Sequence, residues 1–185
     1  MQIKPEHIGK NGHLLLKYWE SLCTPTSIPS WDDMKISALA PIASRVVVFE
    51  ITEKSGAQII FSGNEIDLRL KREVMGNNTK SFGTMDEQLK VMEISRGNLM
   101  TPCASISDYF YRGSPNDPVK RGINFVLPLL NTEGLPRLLI LTDDWSDETV
   151  EESVVEAIEN GSKKVGYVSM INDYIFYDVG FGVPQ

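Results

Sequence analysis

The first part of the chain carries apolar side chains at helical spacing. Four of them recur three or four positions apart: Leu15, Tyr18, Trp19 and Leu22. Side chains with this spacing lie on one face of a helix. Asn11-Gly12 provides a start, so the pattern predicts a helix over residues 13–22. A loop rich in proline and serine follows over residues 24–30.

Two runs of strand-forming residues come next. Residues 45–53 contain consecutive β-branched and aromatic side chains, which are typical of a strand in the middle of a sheet. A short turn containing glycine separates this run from a second one over residues 58–63. Because the connection is short, the two strands are predicted to pair as an antiparallel hairpin.

The pattern then changes from strand to helix. A short helix is predicted over residues 65–72, opened by Asn64. A longer helix begins at a capping-box motif at Thr84 and is predicted to end at Gly97. Its apolar positions at helical spacing are Met85, Leu89 and Met92. We expect this apolar stripe to face the core.

Three more strands are predicted after these helices. They cover residues 99–111, 123–130 and 137–142. A turn at residues 131–134 joins the last two strands, which again implies antiparallel pairing. Pro128 lies inside the second run and lacks a backbone N–H, so it indicates an edge strand or a bulge.

The last part of the chain alternates helix and strand once more. A helix is predicted over residues 147–160, followed by a hairpin of strands 165–170 and 174–179 around Asn172-Asp173. The complete order is helix, two strands, helices, three strands, helix and hairpin. It predicts an α+β fold with a core of five antiparallel strands, interrupted after the second strand by short helices.

Composition narrows the function classes. The chain has 185 residues, of which 42% are hydrophobic and 23% charged, as in an ordinary globular domain. Its net charge of -7 disfavours non-specific binding to nucleic acids and to anionic membranes. No signal peptide and no run of about 18 apolar residues is visible, so we expect a cytoplasmic protein. Cys23 and Cys103 are isolated and are expected to be reduced, buried thiols.

Short motifs along the chain carry a family resemblance. They are Tyr18-Trp19, Ile28-Pro29-Ser30, Asp32-Asp33, Ala40-Pro41, Phe61-Ser62-Gly63-Asn64, Met75-Gly76-Asn77, Leu127-Pro128-Leu129 and Phe176-Tyr177-Asp178-Val179-Gly180. In order and spacing they resemble the single-domain PAS proteins common in alphaproteobacteria, which were formerly classed as a domain of unknown function. The resemblance extends from about Leu14 to Trp145. The chain departs from it at Trp31, where such proteins usually hold arginine, and at residues 58–60, where they usually carry an Arg-rich strand.

The resemblance implies a fold and a role. In the PAS fold, a five-stranded antiparallel sheet cups a cavity that is closed by the helices between its second and third strands. The family implies sensing or protein interaction in bacterial signalling, without a defined reaction. The expected domain organisation is an N-terminal extension over residues 1–12, a PAS-like domain over 13–145, and a C-terminal helix and hairpin over 146–185 that pack on the same domain.

Catalytic and metal-binding patterns are sparse. The chain has two histidines, His7 and His13, whose spacing does not place them on one helical face. The sequence therefore favours neither a metal site nor heme, and it identifies no cofactor. Asp143-Asp144 has two interpretations, a cation or acid–base pair and the end of a strand that leads into the final helix. We favour the second, and we predict that the protein is not an enzyme.

Two sets of side chains are candidates for binding. Candidates to line an apolar ligand pocket between sheet and helices are Phe61, Met75, Phe82, Leu89, Met92, Phe110, Phe125 and Leu127. Candidates for additional polar contacts are Tyr109, Tyr111 and Asn124. Candidates for an interface with a second copy are Leu15, Tyr18, Trp19 and Leu22. The competing interpretation of both apolar sets is that they fill the core.

Three functional hypotheses follow. The first is a sensor that binds a small ligand and signals in trans to a signalling protein, because no effector domain is recognisable in the chain. The second is a ligand-free module for dimerisation or protein interaction, which an exposed apolar patch would favour. The third is an enzyme with an unrecognised site, which a strongly perturbed titratable group in a cleft would favour.

Overall fold

A computed structural model describes residues 5–52, 56–78, 85–114, 116–144, 150–162 and 168–184 of the chain. The helices are α1 (Gly9–Leu22), α2 (Asn64–Leu70), α3 (Met85–Met100) and α4 (Glu152–Ser162). The strands are β1 (Val46–Thr52), β2 (Gly56–Ser62), β3 (Ala104–Arg112), β4 (Lys120–Leu130), β5 (Pro136–Asp144) and β6 (Val168–Tyr177). Short 3-10 turns lie at Pro5–Ile8, Trp31–Asp33, Ile36–Leu39 and Ala43–Arg45.

All six strands form one antiparallel sheet in the order β2-β1-β5-β4-β3-β6. The two helices α2 and α3 lie between β2 and β3 in sequence, as expected. The five predicted core strands are therefore present, and the predicted α+β fold is confirmed. α1 begins at Gly9, one turn before the predicted start at residue 13, and α4 includes residues beyond the predicted end at residue 160.

The predicted C-terminal hairpin is wrong. Residues 168–177 form a single strand, β6, which pairs along its whole length with β3 and adds a sixth strand to the sheet. The residues read as a turn lie at a shift of the β3–β6 register next to Asp108. The Asp108 carboxylate accepts hydrogen bonds from Asn172 Nδ2 at 3.1 Å and from the Asp173 backbone N–H at 3.0 Å. These bonds satisfy the turn-forming residues inside a strand, as in a β-bulge.

Pro128 lies in a strand that is central in the sheet, because β4 is flanked by β5 and β3. Both alternatives, an edge strand and a bulge, are therefore wrong, because the pairing of β4 with β5 also runs through Pro128 without a register shift. The ladder between β3 and β4 ends at Val126, so Pro128 occupies a stretch of β4 beyond it. The carbonyl of Pro128 accepts a hydrogen bond from the Trp19 indole at 2.8 Å. Since the N–H of a strand residue lies on the same side as its carbonyl, the missing donor costs no ladder bond.

The sheet has helices on both faces. On the outer face, Leu15 and Trp19 of α1 pack in one cluster with alternate residues of the central strands, among them Ile106, Phe125 and Leu139. At the β6 end of the same face, Ile158 of α4 packs on Phe110. The opposite, inner face lies under α2 and α3. None of the helices in the described ranges is long and apolar enough to cross a membrane.

Candidate functional site

The inner face of the sheet has apolar contacts at its two sides. At the β1–β2 side, Ile66 of α2 and Val74 pack on Val47 and Ile59. At the β3–β6 side, a second cluster joins α3 to the sheet, formed by Ile94, Tyr109, Tyr111 and Ile171. These clusters hold α2 over the β1–β2 side and α3 over the β3–β6 side of the sheet. α3 also lies against β4.

Polar side chains occupy the centre of this face. Ser107 of β3, Asn124 of β4 and Thr142 of β5 are direct cross-strand neighbours, so they form a row across the sheet. The Thr142 hydroxyl donates to Asn124 Oδ1 at 2.7 Å. Ser107 is only 3% exposed. Within the described part of the chain, neither the Ser107 hydroxyl nor the Asn124 amide nitrogen has a hydrogen-bond partner.

A second polar pair continues the row toward α3. Asn98 of α3 and Ser105 of β3 are both fully buried, and Asn98 Nδ2 donates to Ser105 Oγ at 2.9 Å. We call the five residues Asn98, Ser105, Ser107, Asn124 and Thr142 the inner polar strip. Asn98 and Ser105 satisfy each other, whereas the Ser107 hydroxyl and the Asn124 amide nitrogen keep hydrogen-bonding capacity that the described residues do not use. The Ser107 hydroxyl and the Asn124 amide nitrogen can therefore form hydrogen bonds with a polar molecule.

One end of the inner face is closed by Arg69 of α2. Its side chain is 10% exposed, donates to Tyr109 Oη at 2.6 Å and lies 3.0 Å from an Asp144 oxygen. The guanidinium also stacks over the Tyr111 ring at 4.8 Å. Burial alone would lower the pKa of Arg69, but the adjacent Tyr109, Tyr111 and Asp144 outweigh it and raise that pKa. The neighbours of Arg69 therefore stabilise its positive charge despite its burial.

Gly122 makes the position of Tyr109 possible. The two residues are cross-strand partners, and a Cβ at Gly122 would lie 2.6 Å from the Tyr109 ring. Because no side chain stands at Gly122, the Tyr109 ring lies across β4 and its hydroxyl reaches Arg69. A glycine within a strand often marks such a close approach.

The other end of α2 is fixed by Glu65. Its carboxylate accepts hydrogen bonds from Ser44 Oγ and from Arg45 Nε, both at 2.7 Å. The hydroxyl of Ser44 and then the charge and hydrogen bond of Arg45 hold the pKa of Glu65 below its usual value. Arg45 also pairs with Asp143, which in turn accepts a hydrogen bond from Asn11 of α1 at 2.7 Å.

The predicted pocket residues do not line one space. Phe125 and Leu127 are in the outer cluster with α1, and Phe61 packs against that cluster beside Trp31. Phe110 lies under α4. The reason is that successive side chains of a strand point to opposite faces of the sheet. On β3 and β4 the residues of the inner polar strip occupy every second position and face inward. The large apolar side chains between them necessarily face outward.

The pocket candidates on the helical side are exposed. Met75 lies on the surface, and Leu89 and Met92 of α3 are 57% and 65% exposed. Phe82 lies outside the described residues. Leu89 and Met92 of the predicted apolar stripe face solvent, because Ile94 and Asn98 form the buried face of α3 instead. Gly97 does not end the helix.

Gly97 belongs to the packed surface of α3. A Cβ at Gly97 would lie 2.2 Å from the Phe176 ring of β6. The helix therefore needs glycine at this position to approach β6, and it continues to Met100. For the same reason the strand predicted to begin at residue 99 begins at Ala104.

The predicted interface on α1 is largely internal. Leu15 and Trp19 are fully buried against the outer face of the sheet, so they are not available to a second copy. Leu22 and Tyr18 are partly buried against the same cluster, and the Tyr18 hydroxyl accepts a hydrogen bond from the Lys35 backbone N–H at 2.7 Å. The apolar stripe of α1 thus serves the core of its own chain.

The residues predicted to make additional polar contacts lie together on one face of the sheet. Tyr109, Tyr111 and Asn124 all lie on the inner face, with Asn124 at the centre of the strip. Sequence reasoning missed Arg69 and the other four members of the strip. The available signal was a set of small polar residues at alternate positions within apolar strands, such as Ser105 and Ser107.

Comparison with solved structures finds light-oxygen-voltage (LOV) domains. A LOV domain studied with a flavin analogue is 16% identical, covers 70% of this chain and 93% of its own, with a TM-score of 0.45. The light state of the Aureochrome1 LOV domain is 12% identical, covers 70% and 99%, with a TM-score of 0.40. A fungal LOV photoreceptor is 12% identical, covers 76% and 98%, with a TM-score of 0.44.

No protein-family model matches the chain, and no curated protein matches it. At the identities and TM-scores above, the likeness to LOV domains carries no argument about ligand or activity. The fold assignment rests on the chain itself, in which five antiparallel core strands with helices between β2 and β3 form the expected arrangement. The chain has a PAS-like fold, extended by α4 and the sixth strand.

Proposed function

We propose that this protein is a sensory module of the PAS type that binds a small polar molecule on the inner polar strip and signals by binding. One observation carries the proposal: the Ser107 hydroxyl and the Asn124 amide nitrogen lie at the centre of the sheet without partners among the described residues. Both groups therefore keep hydrogen-bonding capacity that a ligand can use, as the few polar groups of a small-molecule site do.

The strip also suggests the chemistry of the ligand. The Thr142 hydroxyl donates to Asn124 Oδ1, which leaves the amide nitrogen of Asn124 to donate to another acceptor. The five strip residues are uncharged, and the nearby charge of Arg69 is balanced by Asp144. A neutral molecule with a carbonyl or ring-nitrogen acceptor fits these groups. This replaces the apolar ligand expected from the sequence.

A role in binding is also consistent with the state of the thiols. Burial, with a smaller contribution from Glu20, raises the pKa of Cys23 to about 11. Burial, with a smaller contribution from Asp178, raises the pKa of Cys103 to about 11. Both thiols are therefore protonated at neutral pH, and a protonated thiol is a poor nucleophile.

A second candidate function is a protein-interaction module, as a homodimer or with a signalling protein in trans. The observation that favours it is the exposed apolar surface of the helical layer, which includes Leu68, Met75, Leu89 and Met92. Methionine-rich surfaces adapt to different partners. The two functions are compatible, because a ligand on the inner face would lie beneath the helices that carry this surface.

The test is ligand retention measured by native mass spectrometry on protein purified without unfolding. We expect the wild-type native mass to exceed the denatured mass by a defined small molecule. Asn124→Leu should raise the dissociation constant roughly tenfold, which corresponds to about 1.4 kcal/mol, and should therefore lower the occupancy of the ligand.

Matched variants at Thr142 serve as controls. Thr142→Ser keeps the hydroxyl that orients Asn124 and should retain the ligand, whereas Thr142→Val should lose part of it. A bare wild-type mass, or equal occupancy in Asn124→Leu, would count against the inner polar strip as the binding site.

A further inference from the structure

Two charged residues on one face of α2 are linked by ion pairs to the C-terminal end of β5. Glu65 and Arg69 are four positions apart, so they project from the same side of the helix. Glu65 pairs with Arg45, which also pairs with Asp143, and Arg69 pairs with Asp144. These five residues form a closed path of charges from α2 to the end of β5 and back, which we call the charge circuit.

The end of β5 joins the two faces of the sheet. Consecutive strand residues project to opposite faces. Asp143 is paired with Ile123 of the outer cluster and accepts a hydrogen bond from Asn11 of α1 at 2.7 Å. Asp144 is directed inward, where it accepts a hydrogen bond from the Tyr111 hydroxyl at 2.7 Å. Its backbone N–H donates to Asp143 Oδ1 at 3.1 Å.

Ion pairs at both ends of α2 add to the apolar packing that positions this helix. Ile66 is the buried apolar residue of this short helix, Leu70 packs against the same cluster while partly buried, and Leu68 is exposed. Partly exposed ion pairs contribute little each and are weakened by salt. A helix held in this way shifts at low cost, because small changes in the pairs alter its contacts.

We propose that the charge circuit couples the position of α2, which covers the inner face, to the first turn of α1 on the outer face. A displacement of α2 changes the Arg69–Asp144 pair, and Asp143 moves with Asp144 because the two are adjacent in one strand. Asp143 then changes its contact with Asn11. The step in which a ligand displaces α2 rests on the proposed function, whereas the coupling between the helices exists without a ligand.

The coupling is testable by amide hydrogen exchange of the full chain without added ligand. Asp144→Asn keeps the shape of the side chain and removes its charge. We expect exchange to accelerate by up to roughly fivefold both in residues 64–70 and in residues 9–13, a factor set by the usual contribution of an exposed ion pair. Glu50→Gln is the matched control, because its pair with Arg137, at 2.7 Å, joins β1 to β5 outside the circuit.

Coupling must also be reciprocal. Asn11→Ala, a change on α1 only, should therefore accelerate exchange in residues 64–70 of α2. Acceleration confined to the helix that carries or directly contacts the substitution would overturn the proposal. If Asp144→Asn unfolds the protein, exchange will accelerate throughout the sheet and the variant will not test the coupling. Asn11→Ala, and wild-type protein at raised salt, which weakens the ion pairs, then test whether exchange accelerates in both helices.

The two proposals fail in different ways. A wild-type native mass equal to the chain mass would contradict ligand binding and leave the exchange result unchanged. Conversely, exchange in α1 that does not respond to Asp144→Asn or to salt would contradict the coupling, whatever the native mass.

Discussion

Trp19 has a structural role at the centre of the outer core. It is fully buried on α1, and its indole N–H donates to the carbonyl of Pro128 in β4. Trp19→Ala is expected to lower the free energy of unfolding by about 3–5 kcal/mol, because it opens a large cavity and removes this hydrogen bond. Chemical denaturation monitored by circular dichroism measures the loss.

The matched control is Met92→Ala, a change of an exposed side chain on α3. It should alter the free energy of unfolding by no more than about 0.5 kcal/mol. A Trp19→Ala protein that is as stable as wild type and changes only its oligomeric state would contradict the burial of Trp19 and restore the interface on α1.

At the scale of single elements, α3 presents the face opposite to the one expected from its apolar stripe. Ile94→Ala should lower the free energy of unfolding by about 2–5 kcal/mol, since Ile94 packs with Tyr109 and Ile171. Leu89→Ala should have an effect of about 0.5 kcal/mol or less, since Leu89 is exposed. Thermal or chemical unfolding of the two variants side by side decides which face is buried, and the reverse order of the effects would contradict the structure.

The continuity of β6 is a second prediction about an element. Asp173→Pro removes the backbone N–H that donates to Asp108 at 3.0 Å, so it should lower the free energy of unfolding by about 1–3 kcal/mol. Asp173→Gly places a flexible residue inside a strand and should cost roughly 0.5–1 kcal/mol. In a hairpin, the same change would create Asn-Gly, a favoured turn, and a gain in stability would therefore contradict the single strand.

Sequence patterns predicted the presence of helices and strands better than they predicted which face of each element is buried. The runs that became β1, β4 and β5 are rich in strand-forming residues, and this local property survives in the fold. The buried face of α3 was misread because Asn98 is polar and Gly97 has no side chain, yet both contact the sheet. Such contacts depend on residues distant in sequence, which periodicity does not register.

The same limit applies to the candidate site. Asn124 was recognised as a polar candidate, but the orientation of the large apolar residues of β4 followed from the register with β3 and β5. Arg69 reaches Tyr109 across 40 positions of sequence and owes its place to the missing side chain of Gly122. The sequence thus predicted polar candidates between sheet and helices, while the grouping of Asn124 with Ser107 and Thr142 required the three-dimensional pairing.

At the scale of the whole molecule, the sheet is bounded at both edges. At the β6 edge, Lys90 Nζ donates to the carbonyl of Ile171 at 2.8 Å. At the β2 edge, the backbone of Ile59 exchanges hydrogen bonds with Gly76 and Asn77 at 2.8 and 3.0 Å. A lysine or a covering segment blunts an edge against further strand pairing. These contacts disfavour the addition of a further strand at either edge of the sheet.

The central claim, that the inner polar strip is a binding site, is tested most directly by a crystal structure of the wild-type protein purified without unfolding. The account predicts electron density for a small molecule with an acceptor about 2.7–3.2 Å from Asn124 Nδ2 and a polar atom equally close to the Ser107 hydroxyl. Density showing both groups bonded only to side chains of the same chain, with no room for a ligand between sheet and α3, would contradict it.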